Sequence, residues 1–263
     1  MPAAKETSVA VLIRAAAALD ELAENGETTT AELSERLDEP RSSVYRLLRS
    51  LSSLGLVEEG DQPGGYRLGL TTLRLGSVVL SQLEVRRVAR PFMERLHDES
   101  EETVFLCVRR DKRAVFVDRI DGRRAANMAV APGSSLPLHC GAGPRALLAF
   151  SPPALAEAYV AEDEFTEFRT GAPVPTGVVL EELAETRETG VAVSDQDLIL
   201  GLAALGAPIL DFRGEVRGAI SVSGLCDDIL GERRRFLTER LLAAAQESSL
   251  ALGHSPNSAG NSR

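Results

Sequence analysis

The sequence predicts an α+β chain in two parts: a small helical unit closed by a β-hairpin, then a larger domain built on an antiparallel sheet. Three observations carry this. Residues 40–57 read Pro-Arg-Ser-Ser-Val-Tyr-Arg-Leu-Leu-Arg-Ser-Leu-Ser-Ser-Leu-Gly-Leu-Val, with Val44, Leu47, Leu48, Leu51 and Leu54 at helical spacing. Two short strand-like runs follow at once, on either side of a segment dense in turn residues. After Glu102 the apolar residues change from helical spacing to runs of strand character.

The elements of the first part follow in order. Val9, Leu12, Ile13, Ala16, Leu19 and Leu22 form one helical stripe and predict a first helix. Thr29 and Glu32 stand at capping-box spacing, so a second helix starts there, with Leu33 and Leu37 as its buried edge. Asp38-Glu39-Pro40 breaks it, and the fixed φ of Pro40 suits the first turn of a third helix. Gly55 stops that helix. Leu56–Glu59 and Tyr66–Leu70 read as two strands around the turn at 60–65. Three helices and a hairpin in this order predict a winged helix-turn-helix. The third helix has an apolar back and a front of Arg41, Ser42, Ser43, Tyr45, Arg46 and Arg49. Such a front suits the DNA major groove, where Arg pairs with guanine edges and hydroxyls meet phosphates. Arg67 is the candidate phosphate contact of the wing. Taken alone, the helix also reads as an ordinary solvated amphipathic helix, and Arg67 as a solvated strand residue.

Composition bounds the function. The chain has 263 residues, 44% of them hydrophobic, which suits one or two domains with proper cores. It carries 29 Lys plus Arg against 39 Asp plus Glu, a formal net charge of −10. That acidity argues against coating nucleic acid without discrimination, while leaving room for a site-specific reader whose local field is positive. Between Arg41 and Arg49 stand three Arg and no acid, although Asp38 and Glu39 lie just before them. The three cysteines, Cys107, Cys140 and Cys226, are far apart and lack CxxC spacing. They argue against a disulfide framework or zinc site and fit a reducing cytoplasm. The early apolar run is interrupted by Arg14, and the run Leu198–Leu210 contains glycines and a proline. Neither a signal peptide nor a membrane span is expected, and the chain reads as soluble and cytoplasmic.

Leu70–Ser81 and Val85–Glu99 read as helices leading out of the wing, and part of their apolar surface suits a dimer seam. Strands are expected at Thr103–Val108, Ala114–Ile120, Met128–Val130, Gly206–Asp211 and Gly218–Ser223. Helices are expected at Pro144–Phe150, Pro153–Tyr159, Val178–Glu188 and Arg233–Leu252. This mixture predicts an α+β sensor domain with helices on one antiparallel sheet. Gly141 and Gly143 precede the first of these later helices. Small residues at a helix N-terminus let backbone N–H groups approach an anion, so a small carboxylate is the expected ligand class. Ser221 and Ser223 alternate along a strand and share a face, either toward a ligand or in local hydrogen bonds. His97 and His254 have no partner pattern and read as surface residues. The adjacency of His139 and Cys140 rarely sets a base against a nucleophile, and no catalytic constellation is visible.

Several segments, in this order and spacing, resemble the IclR family of bacterial transcription regulators. They are Pro40–Leu48 with its Leu54-Gly55-Leu56-Val57 close, Tyr66-Arg67-Leu68-Gly69 at the wing, and Leu136-Pro137-Leu138-His139-Cys140 with Ala146-Leu147-Leu148-Ala149. Gly190–Asp197, Ala207-Pro208-Ile209 and Ser221-Val222-Ser223-Gly224 complete the set. The resemblance implies a winged helix-turn-helix (residues 1–70) and a linker helix (71–83). It further implies a GAF-like α/β effector-binding domain (84–253), while the polar composition of residues 254–263 itself predicts a disordered tail. It also implies a ligand-responsive regulator, more a repressor than an activator, that reads a palindromic operator as a homodimer or homotetramer without catalysis, cofactor or metal. The effector pocket implied comprises Met128, Gly141, Ala142, Ser194, Leu202, Ala204, Ser221 and Ser223. The family usually has Gly-Lys where Pro144-Arg145 stands, Glu where Asp197 stands, an aromatic or His at Leu210, and often Asp at Ser194. A small-molecule enzyme built on the second domain, or a ligand-free oligomerisation module, are the competing readings.

Overall fold

The computed structural model describes residues 3–82, 84–123, 130–161 and 164–255. The chain divides into two compact units, Met1–Gln82 and Leu83–Arg263. Among the described residues no helix is long and apolar enough to cross a membrane.

The first unit contains α1 (Ala3–Asn25), β1 (Thr28–Thr29), α2 (Thr30–Arg36), α3 (Arg41–Ser53), β2 (Val57–Glu59), β3 (Gly65–Leu68) and α4 (Leu70–Gln82). Thr29 caps α2, and Glu32 returns the bond by accepting from Thr29 N at 2.8 Å. Pro40 is the N-cap of α3 with ψ 136°, so the helix begins one residue later than its proline. Ala18, Leu22, Leu33, Val44, Leu48, Leu51, Val57 and Tyr66 form the core. Four apolar positions, one on α3 and three on α1, differ from expectation. Leu54, the last residue of the α3 stripe, is the C-cap and is exposed. On α1 the chain covers Ala15, Ala18, Leu19 and Leu22, while Val9, Leu12 and Ile13 stand exposed. Apolar spacing marks which side of a helix seeks cover, not whether the same chain supplies it. The hairpin is joined by β1 in a sheet of order β1-β3-β2. Two residues are too few for β1 to show a pattern in sequence.

The second unit contains α5 (Glu84–Ser100), β4 (Thr103–Arg110), β5 (Arg113–Ile120), β6 (Ser135–Pro137), α6 (Ala142–Ala149), α7 (Pro153–Val160), β7 (Phe165–Thr166) and β8 (Pro173–Val174). It continues with α8 (Thr176–Thr189), β9 (Ala192–Asp195), β10 (Leu202–Leu210), β11 (Val216–Leu225), α9 (Cys226–Ile229) and α10 (Arg234–Ala251). Six strands pair antiparallel in the order β6-β5-β4-β11-β10-β9, and β7 and β8 form a separate hairpin. The strands β6 and β9 were not legible, being short edge strands without alternation. Met128 and Ala129 of the expected third strand lie outside the described residues, and Val130 is buried outside any strand.

Alternation along the strands sorts the sheet into two faces. Leu106, Val104, Ile220, Val222, Leu205 and Ala207 share one face through their register, and α5 and α10 cover it. Phe105, Cys107, Phe116 and Ala219 belong to the other face, packed with Ala146, Leu147 and Leu148 of α6. Asp118, on β5, receives Arg86 at 3.1 Å and Arg90 at 2.9 Å, which ties α5 to the sheet. The two histidines assigned to the surface are half-buried. His97 Nδ1 lies 3.0 Å from Glu102 O, and His254 Nδ1 lies 3.1 Å from Asp211 O. The ordered fold therefore reaches His254, inside the segment expected as a free tail. Residues 256–263 of that segment lie outside the described residues.

At the contact of α6 with β10 the backbones approach more closely than a side chain allows. A Cβ on Gly206 of β10 would meet Ala142 C and O at 2.5 Å. Gly177 in α8 has nothing within 4 Å of its missing Cβ. Gly206→Ala is thus expected to destabilise the fold by about 1–3 kcal/mol through overpacking. Gly177→Ala should raise stability by roughly 0.4–1 kcal/mol. Guanidinium unfolding of the full chain followed by circular dichroism checks both signs.

Candidate nucleic-acid interface and effector cavity

The front of α3 is built by its own periodicity. Burying Val44, Leu48 and Leu51 turns Arg41, Ser42, Tyr45, Arg46 and Arg49 to solvent. Ser43 is half-buried and sits on a flank, sharing a groove with Val11 and Arg14 of α1. Arg41, Arg46 and Arg49 make no ion pair with any described residue. The other arginines differ: Arg14 holds Glu39 at 3.2 Å and Arg36 holds Glu21 at 3.1 Å. The Arg14 pair matters because Glu39 precedes the cationic face, and its charge is offset from behind.

Arg67 stands on β3, as expected for the wing, but it is engaged. Its Nε donates to Glu58 Oε1 at 2.8 Å, and its Nη1 lies 3.4 Å from Asp61 Oδ2. A phosphate would have to compete with two carboxylates for it. Sequence reasoning missed Glu27. Its Oε1 accepts from Gln62 N at 2.6 Å, so one carboxylate pins the wing turn from below. Backbone hydrogen bonds from Gln62 and Asp61 hold its pKa below the usual carboxylate range.

In the second unit, Gly141, Ala142, Ser194, Leu202, Ala204, Ser221 and Ser223 line one cavity of about 50 Å³. These residues come from four separate segments, and the register explains their meeting: Ala204 pairs with both Ser223 and Ser194, and Gly206 pairs with Ser221. Met128 lies outside the described residues. Sequence reasoning missed the apolar half of the wall: Phe105, Phe116, Leu136, Leu198 and Ile199. The aromatic pair packs edge to face at 5.7 Å between ring centroids. Ser223 Oγ donates to Ala203 O at 2.9 Å, the local hydrogen bond that alternation alone left open. Ser194 and Ser221 are buried in the same wall. Gly141 caps α6 at φ 83°, a left-handed conformation suited to glycine. Pro144 carries no N–H, so the free amides of the first turn are those of Ala142 and Gly143.

Beside this cavity lies a charged network that the sequence did not reveal. Arg145 is buried on α6. Its guanidinium donates to Val193 O, to His139 O at 3.3 Å and to Asp197 Oδ2 at 2.9 Å. Its Nε stands 3.1 Å from the Glu182 carboxylate. The Asp197 oxygen also accepts from Gly141 N at 3.4 Å. Burial raises the Glu182 pKa against the lowering pull of Arg145. Burial lowers the pKa of His139, its Nε2–H donates to Thr166 O at 3.0 Å, and its Nδ1 accepts from Tyr159 Oη at 2.8 Å. Cys140 is no poised nucleophile, since burial pushes its thiol up to about 11. Among the described residues no cluster of His, Cys, Asp and Glu could hold a metal ion.

Comparison with known proteins gives this geometry a setting. Residues 77–250 match the family model described as bacterial transcriptional regulator IclR C-terminal, and residues 11–61 match the IclR helix-turn-helix domain. The chain is 33% identical over 226 residues to the HTH-type transcriptional regulator KipR of Bacillus subtilis, covering 86% of this chain and 90% of that protein. It is 32% identical over 234 residues to the HTH-type transcriptional repressor AllR of Salmonella paratyphi A, covering 88% and 85%. It shares its fold with the crystal structure of an IclR homologue from Microbacterium hydrocarbonoxydans complexed with 4-hydroxybenzoate. The TM-score is 0.73 at 22% identity, covering 93% of this chain and 100% of that one.

The three thiols should separate by accessibility. Cys107 and Cys140 are buried and Cys226 is half-buried, with burial raising all three pKa values. Ellman titration of the native chain at pH 8 is expected to modify Cys226 first and slowly, and to reach Cys107 and Cys140 only after denaturation. Rapid modification of Cys140 would contradict its assigned environment.

Proposed function

Because the chain belongs to the IclR family of bacterial transcriptional regulators, we propose that it is a repressor that reads a palindromic operator as an oligomer and responds to a small carboxylate. It is a DNA-binding regulator of transcription and not an enzyme, like its named relatives. The observation that carries the DNA reading is the front of α3, where three arginines are exposed and unpaired in a chain of net charge −10. Arg46 and Arg49 suit base edges, while Arg41, Ser42, Ser43 and Tyr45 suit phosphates and the groove rim. Arg67 joins the phosphate contacts by exchanging Glu58 and Asp61 for the backbone.

Oligomerisation draws support from Val9, Leu12 and Ile13 on α1 and Leu70, Leu73 and Leu75 on α4. All are exposed apolar side chains that a second copy would cover. Two recognition helices would then meet successive major grooves about 34 Å apart. The cavity supports the effector reading. Its aromatic and leucine walls suit an apolar body, the hydroxyls of Ser194 and Ser221 suit a polar group, and the amides of Ala142 and Gly143 suit a carboxylate. The homologue crystallised with 4-hydroxybenzoate is consistent with that ligand class. The chain acts in the cytoplasm, where its DNA and its three free thiols belong.

Replacing Arg46 by Ala is expected to cost about 1–3 kcal/mol of operator affinity if it reads a base, and to relax specificity at that position. The triple replacement of Arg41, Arg46 and Arg49 should remove specific retardation of genomic fragments recovered with the protein. Undiminished binding by the triple variant would end the DNA assignment. For the cavity, isothermal calorimetry with 4-hydroxybenzoate is expected to show binding that Ser223→Leu abolishes by filling the site. Equal heats from both proteins would place the acid elsewhere.

A further inference from the structure

We propose that Arg145 and Asp197 form a latch that controls entry to the cavity lined by Ser194, Ser221 and Ser223. The proposal rests on the reading of that cavity as the effector site. At about 50 Å³ the cavity holds only a few waters, whereas sites for organic ligands usually span about 300–1,000 Å³. A wall must therefore move for a metabolite to enter.

The walls differ in how they are held. β4, β5, β10 and β11 are held in antiparallel ladders broken only by register shifts at Leu106/Cys107 and Ile209/Leu210, and α6 is pressed onto β10 at Gly206. Val130, Leu136 of β6 and Ser194 of β9 also line the cavity, and the segment 196–201, outside any strand, turns Leu198 and Ile199 toward it. This segment is bounded by two left-handed residues, Gln196 at φ 59° and Gly201 at φ 80°. Gly201 N donates to Gln196 Oε1 within it, while Gln196 N to Leu202 O and Leu202 N to Ile199 O join it to the first residue of β10. Among the described residues its further polar ties are Cys226 N reaching Gly201 O, Gln196 Nε2 donating to Asp195 Oδ1 at 3.3 Å, and Asp197, which alone reaches α6. That one carboxylate accepts from both Arg145 and Gly141.

The two partners are unequal. Arg145 is fixed on three sides by Val193 O, His139 O and Glu182, so its guanidinium stays in place when Asp197 leaves. Asp197 is half-buried, and on release it gains water. A buried cation that keeps a second carboxylate tolerates the loss of the first better than an isolated pair would. Arg145 is the post and Asp197 the moving part. Their separation swings Leu198 and Ile199 out of the cavity mouth. Both are positioning residues, acting on the ligand through the segment rather than by touching it.

The test needs no ligand, so its failure is distinct from failure of the effector reading. Hydrogen exchange is followed on the full chain, wild type and Asp197→Ala, with Asp197→Asn as a neutral variant that keeps an acceptor. Asp197→Ala is expected to speed exchange of amides 196–202 at least tenfold, and Asp197→Asn by less, with β4 and α10 unchanged. In parallel, Ser223→Cys places a thiol in the cavity. Its modification by methyl methanethiosulfonate, read by peptide mass spectrometry, should be at least tenfold faster in the Asp197→Ala background. Unchanged exchange at 196–202, equal modification in both backgrounds, or acceleration spread evenly through the second unit would each overturn the latch.

Discussion

The second unit depends on how closely α6 approaches the sheet. Gly206 on β10 leaves room for the backbone of Ala142 and Gly143, and any side chain there would push the helix away. That approach does three things together. It sets the free amides of the first turn beside Ser194 and Ser221. It seals the apolar face over Phe105 and Phe116. It also aims Arg145, one turn further on, at the acidic groups of α8 and the 196–201 segment. The cavity is the space left where a helix end, rather than a helix side, rests on a sheet.

Charge is organised by pairing rather than by total. The chain is acidic, yet its arginines on α1, α2 and the wing are each matched to a nearby carboxylate. The front of α3 is left unmatched, so the local field there opposes the net charge. In the second unit, Asp118 and Glu102 are buried with arginine partners, fixing α5 and the start of α10 against the sheet. Such pairs add little stability over apolar replacements, but breaking one leaves a costly unpaired charge. They specify where elements meet.

Strand β5 serves two structures. Its Phe116 lines the cavity, and two residues on, Asp118 holds Arg86 and Arg90 of α5. A rearrangement of the cavity wall therefore has a short covalent route to the first helix of the unit. Linkage requires that any ligand favouring one arrangement be favoured by it in return.

Much of the fold was legible because its signals are local. The capping box of α2, the stop at Gly55, the hairpin turn and the apolar stripe of α3 each depend on residues a few positions apart, where helix and turn geometry act directly. The residues expected at an effector pocket came from the resemblance, and the register shows why they meet: Ala204, Ser194 and Ser223 are cross-strand neighbours. Other features belong to the tertiary structure alone. Arg145 and Asp197 are 52 positions apart, and nothing in either neighbourhood marks them as partners. Arg67 carries the same chemistry as Arg46 in sequence, but sheet pairing sets Glu58 opposite it while α3 leaves Arg46 open. The exposure of Val9, Leu12 and Ile13 was equally hidden. Periodicity records what a residue prefers, whereas burial depends on which distant segment arrives to cover it.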